Sequence, residues 1–199
     1  DFAQDIQLKN VSYHYPSATR PALKQMTLAI QAGEKIAIIG PSGSGKSTLL
    51  QLLMKELRKT DGEFLIGDHS IDAISTHSMY THMSTMLQHN HFFSGTIKSN
   101  LLLAKPEATD EVLQRALDQA VLDKKLDDSI FEKGGNLSGG EKQRLAFARL
   151  LLKESDLWLV DEPFTSLDVQ TEKTLFNTLL SQSARKTLLM VTHKLTNLD

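Results

Sequence analysis

The sequence predicts a mixed α/β fold built around a phosphate-binding loop, and three observations carry that prediction. Gly40-Pro41-Ser42-Gly43-Ser44-Gly45-Lys46-Ser47-Thr48 fits the pattern G-x-x-x-x-G-K-[ST] without a mismatch. The motif lies where that pattern needs it, between an apolar run, Lys35 to Ile39, and a helical pattern opened by Ser47. Further along, a second apolar run, Leu157 to Val160, ends in the paired acids Asp161-Glu162.

Taken in order, Ile6 to Tyr13 alternates apolar and polar residues, as a half-buried strand does, and Tyr13-His14-Tyr15-Pro16 ends it. Pro16 and Pro21 bracket a polar turn, after which Leu23 to Ile30 alternates again and closes at Ala32-Gly33. Lys35 to Ile39 reads as a short buried strand. In the loop that follows, glycines let successive N–H groups and a helix N-terminus face an anion. Lys46 then reaches β- and γ-phosphates, and the Ser47 hydroxyl completes a Mg²⁺ site. A glycine-rich turn before an ordinary helix is the plain alternative, but it leaves the order of strand, loop, Lys-Ser and helix without a reason. The helix carries Leu49, Leu50, Leu52, Leu53 and Leu57 on its apolar side. Tyr15, read as exposed after a strand, is either ordinary surface or a stacking platform for a base bound at this loop.

Asp61-Gly62 is a turn and Glu63 to Ile66 a strand. Residues 69–99 are polar and His-rich with a weaker pattern, although Met83 to Leu87 reads as a strand leading to Gln88. The histidines at 69, 77, 82, 89 and 91 invite a metal site, but no pair stands at i, i+4 with supporting carboxylates, so they read as solvated loop residues. Ile97 to Leu103 and Asp110 to Val121 read as helices, the second with Thr109 as N-cap. Leu137-Ser138-Gly139-Gly140-Glu141 then precedes a helix from Lys142 to Leu152, which makes a second potential anion site at a helix N-terminus. Adjacent carboxylates closing an apolar strand imply a compensating cation or ligand, because burying charge is costly. Asp161 fits the role of holding Mg²⁺, and Glu162 that of polarising an attacking water. A helix from Asp168, its N-cap, to Leu180 and a last strand, Thr187 to Val191, ending at Thr192-His193, complete the pattern.

Composition narrows the function classes. At 199 residues with a net charge of -2, the chain has length for a sizeable core but no basic field that would suggest a nucleic-acid partner. It contains no cysteine, which excludes disulfides and thiolate metal sites. No apolar run approaches the roughly 18 residues that span a bilayer, and no signal peptide is visible. Because the first residue is Asp, the chain is expected to be a segment of something longer.

The succession of phosphate loop, Gln88, Leu137 to Glu141, Asp161-Glu162, Ser166-Leu167-Asp168 and His193 resembles the nucleotide-binding domain of ABC transporters over essentially the whole chain. The resemblance implies a P-loop NTPase core, a mixed or parallel sheet with flanking helices, joined to an antiparallel β edge and an α-helical subdomain. It divides the single domain, residues 1–199, into a core and β subdomain over about 1–80 and 155–199 and a helical subdomain over about 81–154. It implies ATP as substrate with Mg²⁺, held by Gly40, Ser42, Gly43, Ser44, Gly45, Lys46, Ser47 and Thr48. Tyr15 is similar to the aromatic that stacks on adenine, Gln88 to the glutamine that senses Mg²⁺ and faces the membrane domain, and His193 to the switch histidine at the γ-phosphate. Ser138 and Gly140 correspond to the signature motif and Asp168 to the D-loop aspartate. Lys46, Gln88, Glu162 and His193 form the implied catalytic set, and Ser47, Gln88 and Asp161 the Mg²⁺ site.

In this family two such domains, identical or related, pair head to tail around ATP, and coupling helices of a transmembrane domain dock on them at the cytoplasmic face of the inner membrane. Glu132-Lys133-Gly134 resembles the exporter X-loop, with Phe131 where exporters usually have Gly, and Glu141 stands where many have Gln, which reads as a mild change on a solvated turn. Ser94 to Leu103 and Met190 to Leu195 are similar to the CydC-type half of the bacterial transporter needed for cytochrome bd assembly, a family linked to export of cysteine and glutathione and to haem. The family domain usually continues beyond the switch histidine, so this chain is expected to be truncated there. A soluble ABC-type ATPase of DNA repair or ribosomes would usually carry zinc modules, coiled-coil insertions or basic linkers, and a small-molecule P-loop kinase would lack the signature. A regulatory domain that hydrolyses poorly would not need Glu162 and His193.

Overall fold

The computed structural model describes residues 3–193. In chain order the elements are β1 (Ile6–Tyr13), β2 (Leu23–Ile30), β3 (Lys35–Ile39), α1 (Lys46–Leu53), β4 (Asp61–Ile66), β5 (His69–Ser70), α2 (Thr76–His82) and β6 (Met83–Met86). There follow β7 (Gly95–Thr96), α3 (Ile97–Leu102), α4 (Asp110–Gln119), β8 (Ser129–Ile130), α5 (Gly139–Leu152), β9 (Leu157–Asp161), α6 (Val169–Gln182) and β10 (Thr187–Thr192). They fall into two compact units. The first comprises residues up to Ser84 together with Ser155–Asp161 and the chain from Arg185; the second comprises Thr85–Glu154 and Glu162–Ala184.

The first unit holds two sheets. One is antiparallel, in the order β2-β1-β4-β5, and Ile6 and Leu8 of β1 stand opposite Ile66 and Phe64 of β4. The buried residues of β1 are Ile6, Leu8, Val11 and Tyr13, an alternation broken by one extra residue. A register shift between Leu8 and Val11, with Asn10 at φ 52°, absorbs that residue and returns Val11 to the inner face. The other sheet has the order β3-β10-β9-β6, with β10 parallel to both β3 and β9. All residues of β9 and β10 are buried, the continuous apolar run expected of parallel strands covered on both faces. The sequence predicts a buried β3, but it is half-buried and Ile39 is 44% exposed. Among the described residues β3 is the outer strand of its sheet, so fewer neighbours cover it.

Two helical details of this unit also differ from expectation. Helix α1 begins at Lys46 and ends at Leu53, where Met54 caps it and Lys55 turns to φ 59°, so Leu57 lies beyond the helix. Helix α2 is absent from the sequence reading because its polar, His-rich residues bury only Met79; its start is set by Ser75, whose hydroxyl accepts the Ser78 N–H.

In the second unit α3, α4 and α5 pack on one another beside the short antiparallel pair β7-β8. Helix α4 buries Leu113, Ala116 and Leu117, at the spacing of one helical face. Thr109 stands at its N-cap position without capping a backbone N–H; its hydroxyl bonds Glu111 instead and holds that carboxyl below its ordinary range. Helix α5 starts three residues before the predicted Lys142, because Ser138 caps it at Gly139. Helix α6 has the predicted N-cap, with the Asp168 carboxylate accepting the Thr171 N–H at 2.9 Å.

Candidate active site

In the parallel sheet Thr192 stands opposite Ile39 and Val191 opposite Asp161, so β3, β10 and β9 end level with one another. The chain leaves these ends as Gly40, His193 and Glu162. The carboxyl edge of a parallel sheet is where open α/β folds take their ligands, since loops and helix N-termini converge there.

Immediately past β3 the loop from Gly40 winds into α1, with Gly45 at the N-cap in the left-handed region at φ 90°. A Cβ at Gly45 would stand 2.5 Å from the Ala22 carbonyl oxygen, so both backbone conformation and space require glycine there. Lys46 Nζ donates to the carbonyls of Gly40 at 2.5 Å and Pro41 at 2.7 Å and to Ser44 Oγ at 3.3 Å. The ammonium is thereby held over the mouth of its own loop, among exposed Ser42, Gly43 and Ser44. Ser47 is exposed in the first turn of α1, and Thr48 is buried. Tyr15, expected to be exposed, is half-buried. Its hydroxyl donates to Gln51 Oε1 at 3.2 Å, lies 3.2 Å from Thr48 Oγ1, and its ring meets Tyr13 edge-on at 4.8 Å between centroids.

Asp161 and Glu162 are 8% and 9% exposed, two adjacent carboxylates almost withdrawn from water. Glu162 has φ 46°, a left-handed conformation that turns the chain sharply out of β9. The Asp161 carboxylate at the end of β9 and the exposed Ser47 hydroxyl at the start of α1 are oxygen donors, the chemistry that Mg²⁺ prefers. His193 is exposed at the end of β10, and Gln88 is exposed in the loop after β6. The other histidines are scattered: His69 lies on β5, His77 on α2, and His82 Nδ1 stands 3.8 Å from the Asp156 carboxylate.

In the second unit the signature residues and the Ser166–Asp168 segment meet. Ser138 Oγ accepts the Glu141 N–H at 3.1 Å, and Glu141 Oε1 accepts the Ser138 N–H at 3.0 Å, which closes a capping box on α5. A Cβ at Gly140 would stand 3.1 Å from both the Ser166 carbonyl oxygen and the Leu167 side chain, so the helix start is packed tightly against that segment. Gln143 clamps the same two stretches, donating to Thr165 Oγ1 at 2.8 Å and accepting the Ser166 N–H at 2.9 Å. Asp168 is exposed and bonded to the Thr171 N–H and hydroxyl, the hydroxyl most strongly, and these bonds hold its carboxyl below the usual range.

The first unit therefore gathers Tyr15, Gly40 to Thr48, Asp161 and His193, and the second carries Gln88, Ser138, Gly140, Glu162 and Asp168. Sequence reasoning missed Gln143 and misjudged Glu141. Glu141 is half-buried, paired with Lys124 at 3.0 Å, and kept below its ordinary pKa chiefly by the Ser138 N–H. The signal was present in Ser138-x-x-Glu141, which is itself the capping-box pattern.

Comparison with known proteins sets this geometry in context. Residues 23–165 match the family model described as ABC transporter. The glutathione/L-cysteine transport system ATP-binding/permease protein CydC of Escherichia coli K12 is 41% identical over 199 residues, covering 98% of this chain and 35% of that protein. The protein of the same name from Haemophilus influenzae is 37% identical over 202 residues with the same coverage. Among solved structures, a bacterial Atm1-family ABC exporter with ATP bound matches at a TM-score of 0.91 and 30% identity, covering 97% of this chain and 35% of the exporter chain. The chain thus spans about a third of the length of the relatives it matches. Among the described residues no helix is long and apolar enough to cross a membrane.

Proposed function

The chain belongs to the ABC transporter family, and from that premise we propose that it binds and hydrolyses ATP to drive an exporter. The observation that carries this reading is the level ending of β3, β10 and β9, which sets the phosphate loop, His193 and Asp161 on one sheet edge. Lys46, released from its loop carbonyls, and the loop amides neutralise the phosphates, and Tyr15 stacks on the adenine. Ser47 and Asp161, with Gln88, would hold Mg²⁺, which would supply positive charge against the phosphates. Glu162 accepts the proton of the attacking water, and His193 stabilises the γ-phosphate as charge redistributes.

The site is completed by a second such domain, from an identical or related chain, turned head to tail. Its Ser138 and Gly140 then present the N-terminus of α5 to the γ-phosphate, with Asp168 alongside. Exposed Phe93 and Phe131, at the same end of the β7-β8 pair, suit coupling helices of a transmembrane domain on the cytoplasmic side of the inner membrane. The likeness to CydC extends the reading to export of small thiols such as glutathione and cysteine and to cytochrome bd assembly. Lys194 and Leu195, part of the CydC-like ending, lie outside the described residues.

Glu162→Gln tests the proposal. The variant is expected to bind ATP as the parent does, to lose hydrolysis by at least about 100-fold, and to sediment as a dimer with Mg·ATP and a monomer without it. Parental turnover, or a dimer in both conditions, would count against it.

A further inference from the structure

The loop after β6 carries Gln88 at its exposed tip, yet its two flanks are fixed by side chains. Asn90 closes the tip on itself, accepting the Leu87 N–H at 3.2 Å and donating to the Leu87 carbonyl at 2.7 Å. Asn100, 1% exposed, accepts the Phe93 N–H and donates to the Phe93 carbonyl, both at 2.9 Å. Arg149 supplies the remaining anchor. Its Nη1 donates to the His91 carbonyl at 2.6 Å, and its guanidinium carbon lies 5.2 Å from the centroid of the Phe92 ring. Phe92 is 4% exposed, with its ring against Gly134, where a Cβ would stand 3.2 Å away.

Among the described residues no carboxylate pairs with Arg149. Burial pushes its guanidinium down from the usual range, and a cation in such a place is costly unless the carbonyl and the ring compensate it. A methionine or leucine would pack there with less expense. What the charge adds is its grip on the loop, through the His91 carbonyl and the Phe92 ring.

We infer that Arg149 is a positioning residue: by gripping the His91 carbonyl and the Phe92 ring it fixes the loop that presents Gln88 to one end of α5, whose opposite end is capped by Ser138. From Ser138 to Arg149 the helix runs about 16 Å at 1.5 Å per residue, so one rigid rod joins the signature turn to the Gln88 loop. A tilt of α5 at Ser138 moves the loop without passing through any flexible link. This rests on Gln88 acting at the Mg²⁺ site.

The test compares Arg149→Met, Gln88→Ala and the double variant in the whole chain. In Arg149→Met, amides of residues 88–93 are expected to exchange about tenfold faster without nucleotide, while ATP affinity stays within about twofold. Turnover should fall about tenfold and the Mg²⁺ needed for half-maximal rate should rise. In the Gln88→Ala background, Arg149→Met should add little, because both act through one group. A residue that merely supported the fold would lower the unfolding midpoint and leave the Mg²⁺ requirement alone.

Unchanged exchange in 88–93, or effects that multiply in the double variant, would overturn the inference. If Gln88→Ala itself left turnover and Mg²⁺ dependence intact, the Gln88 reading would fall and take the inference with it, a pattern distinct from failure of the arginine alone. Should Arg149→Met not fold, Phe92→Leu removes the ring from the same clamp and carries the same expectations.

Discussion

Glu141 offers the sharpest check on the energetics of the signature helix. Replacing it with Ala removes three things at once: the acceptor for the Ser138 N–H at 3.0 Å, a negative charge in the first turn of α5, and the partner of Lys124 at 3.0 Å. A hydrogen bond to a charged acceptor contributes about 1.5 kcal/mol, at the low end for a group that keeps some contact with water. The charge at the helix N-terminus adds about 0.5 kcal/mol. The Lys124 pair, with side chains 22% and 30% exposed, adds about 0.3 kcal/mol after solvent screening. Together these place the cost of Glu141→Ala near 2 kcal/mol, and that of Glu141→Gln near 1 kcal/mol, because the amide oxygen still closes the capping box. The folded carboxyl lies below its ordinary value, so its stabilisation is complete above that value and fades as pH falls through the folded pKa. The difference between parent and Glu141→Gln should thus be full at pH 7 and smaller at about pH 4. Hydrogen exchange of the α5 amides in a urea series follows this helix by itself. A cost below about 0.5 kcal/mol for the Ala variant, equal costs for Ala and Gln, or a difference as large at about pH 4 as at pH 7 would refute the reasoning.

Two further outcomes follow from the first unit. Lys46→Ala should weaken nucleotide binding by at least about tenfold in titration with a fluorescent ATP analogue, since loop amides alone must then meet the phosphates; unchanged affinity would remove Lys46 from the site. Tyr15→Phe should destabilise the fold by about 1 kcal/mol in urea through loss of the bonds to Gln51 and Thr48 while leaving ATP affinity nearly unchanged, whereas Tyr15→Ala should weaken ATP binding severalfold. Equal affinities for the two variants would show that the ring does not stack on the base.

The framework of the fold is legible in the sequence because its strongest signals are local. The phosphate loop, the buried run before Asp161 and the N-cap at Asp168 each depend on a few neighbouring residues, and the structure has them where spacing puts them. What escapes depends on partners far along the chain. The exposure of β3 follows from its outer place in the sheet among the described residues, and the end of α1 from a left-handed Lys55 that no residue type signals. The half-burial of Tyr15 follows from hydroxyl bonds to residues 33 and 36 positions away. Arg149 reads as one more cation on an amphipathic helix until His91, 58 residues earlier, is seen to be its partner.

Glu162 illustrates a conflict between durability and chemistry. Its backbone sits at φ 46°, a region in which a side chain of its kind costs on the order of 1 kcal/mol and glycine or asparagine costs little. With Glu162 as the proposed base, screening variants for robustness alone would replace this glutamate early, and the hardier proteins so obtained would be idle ones.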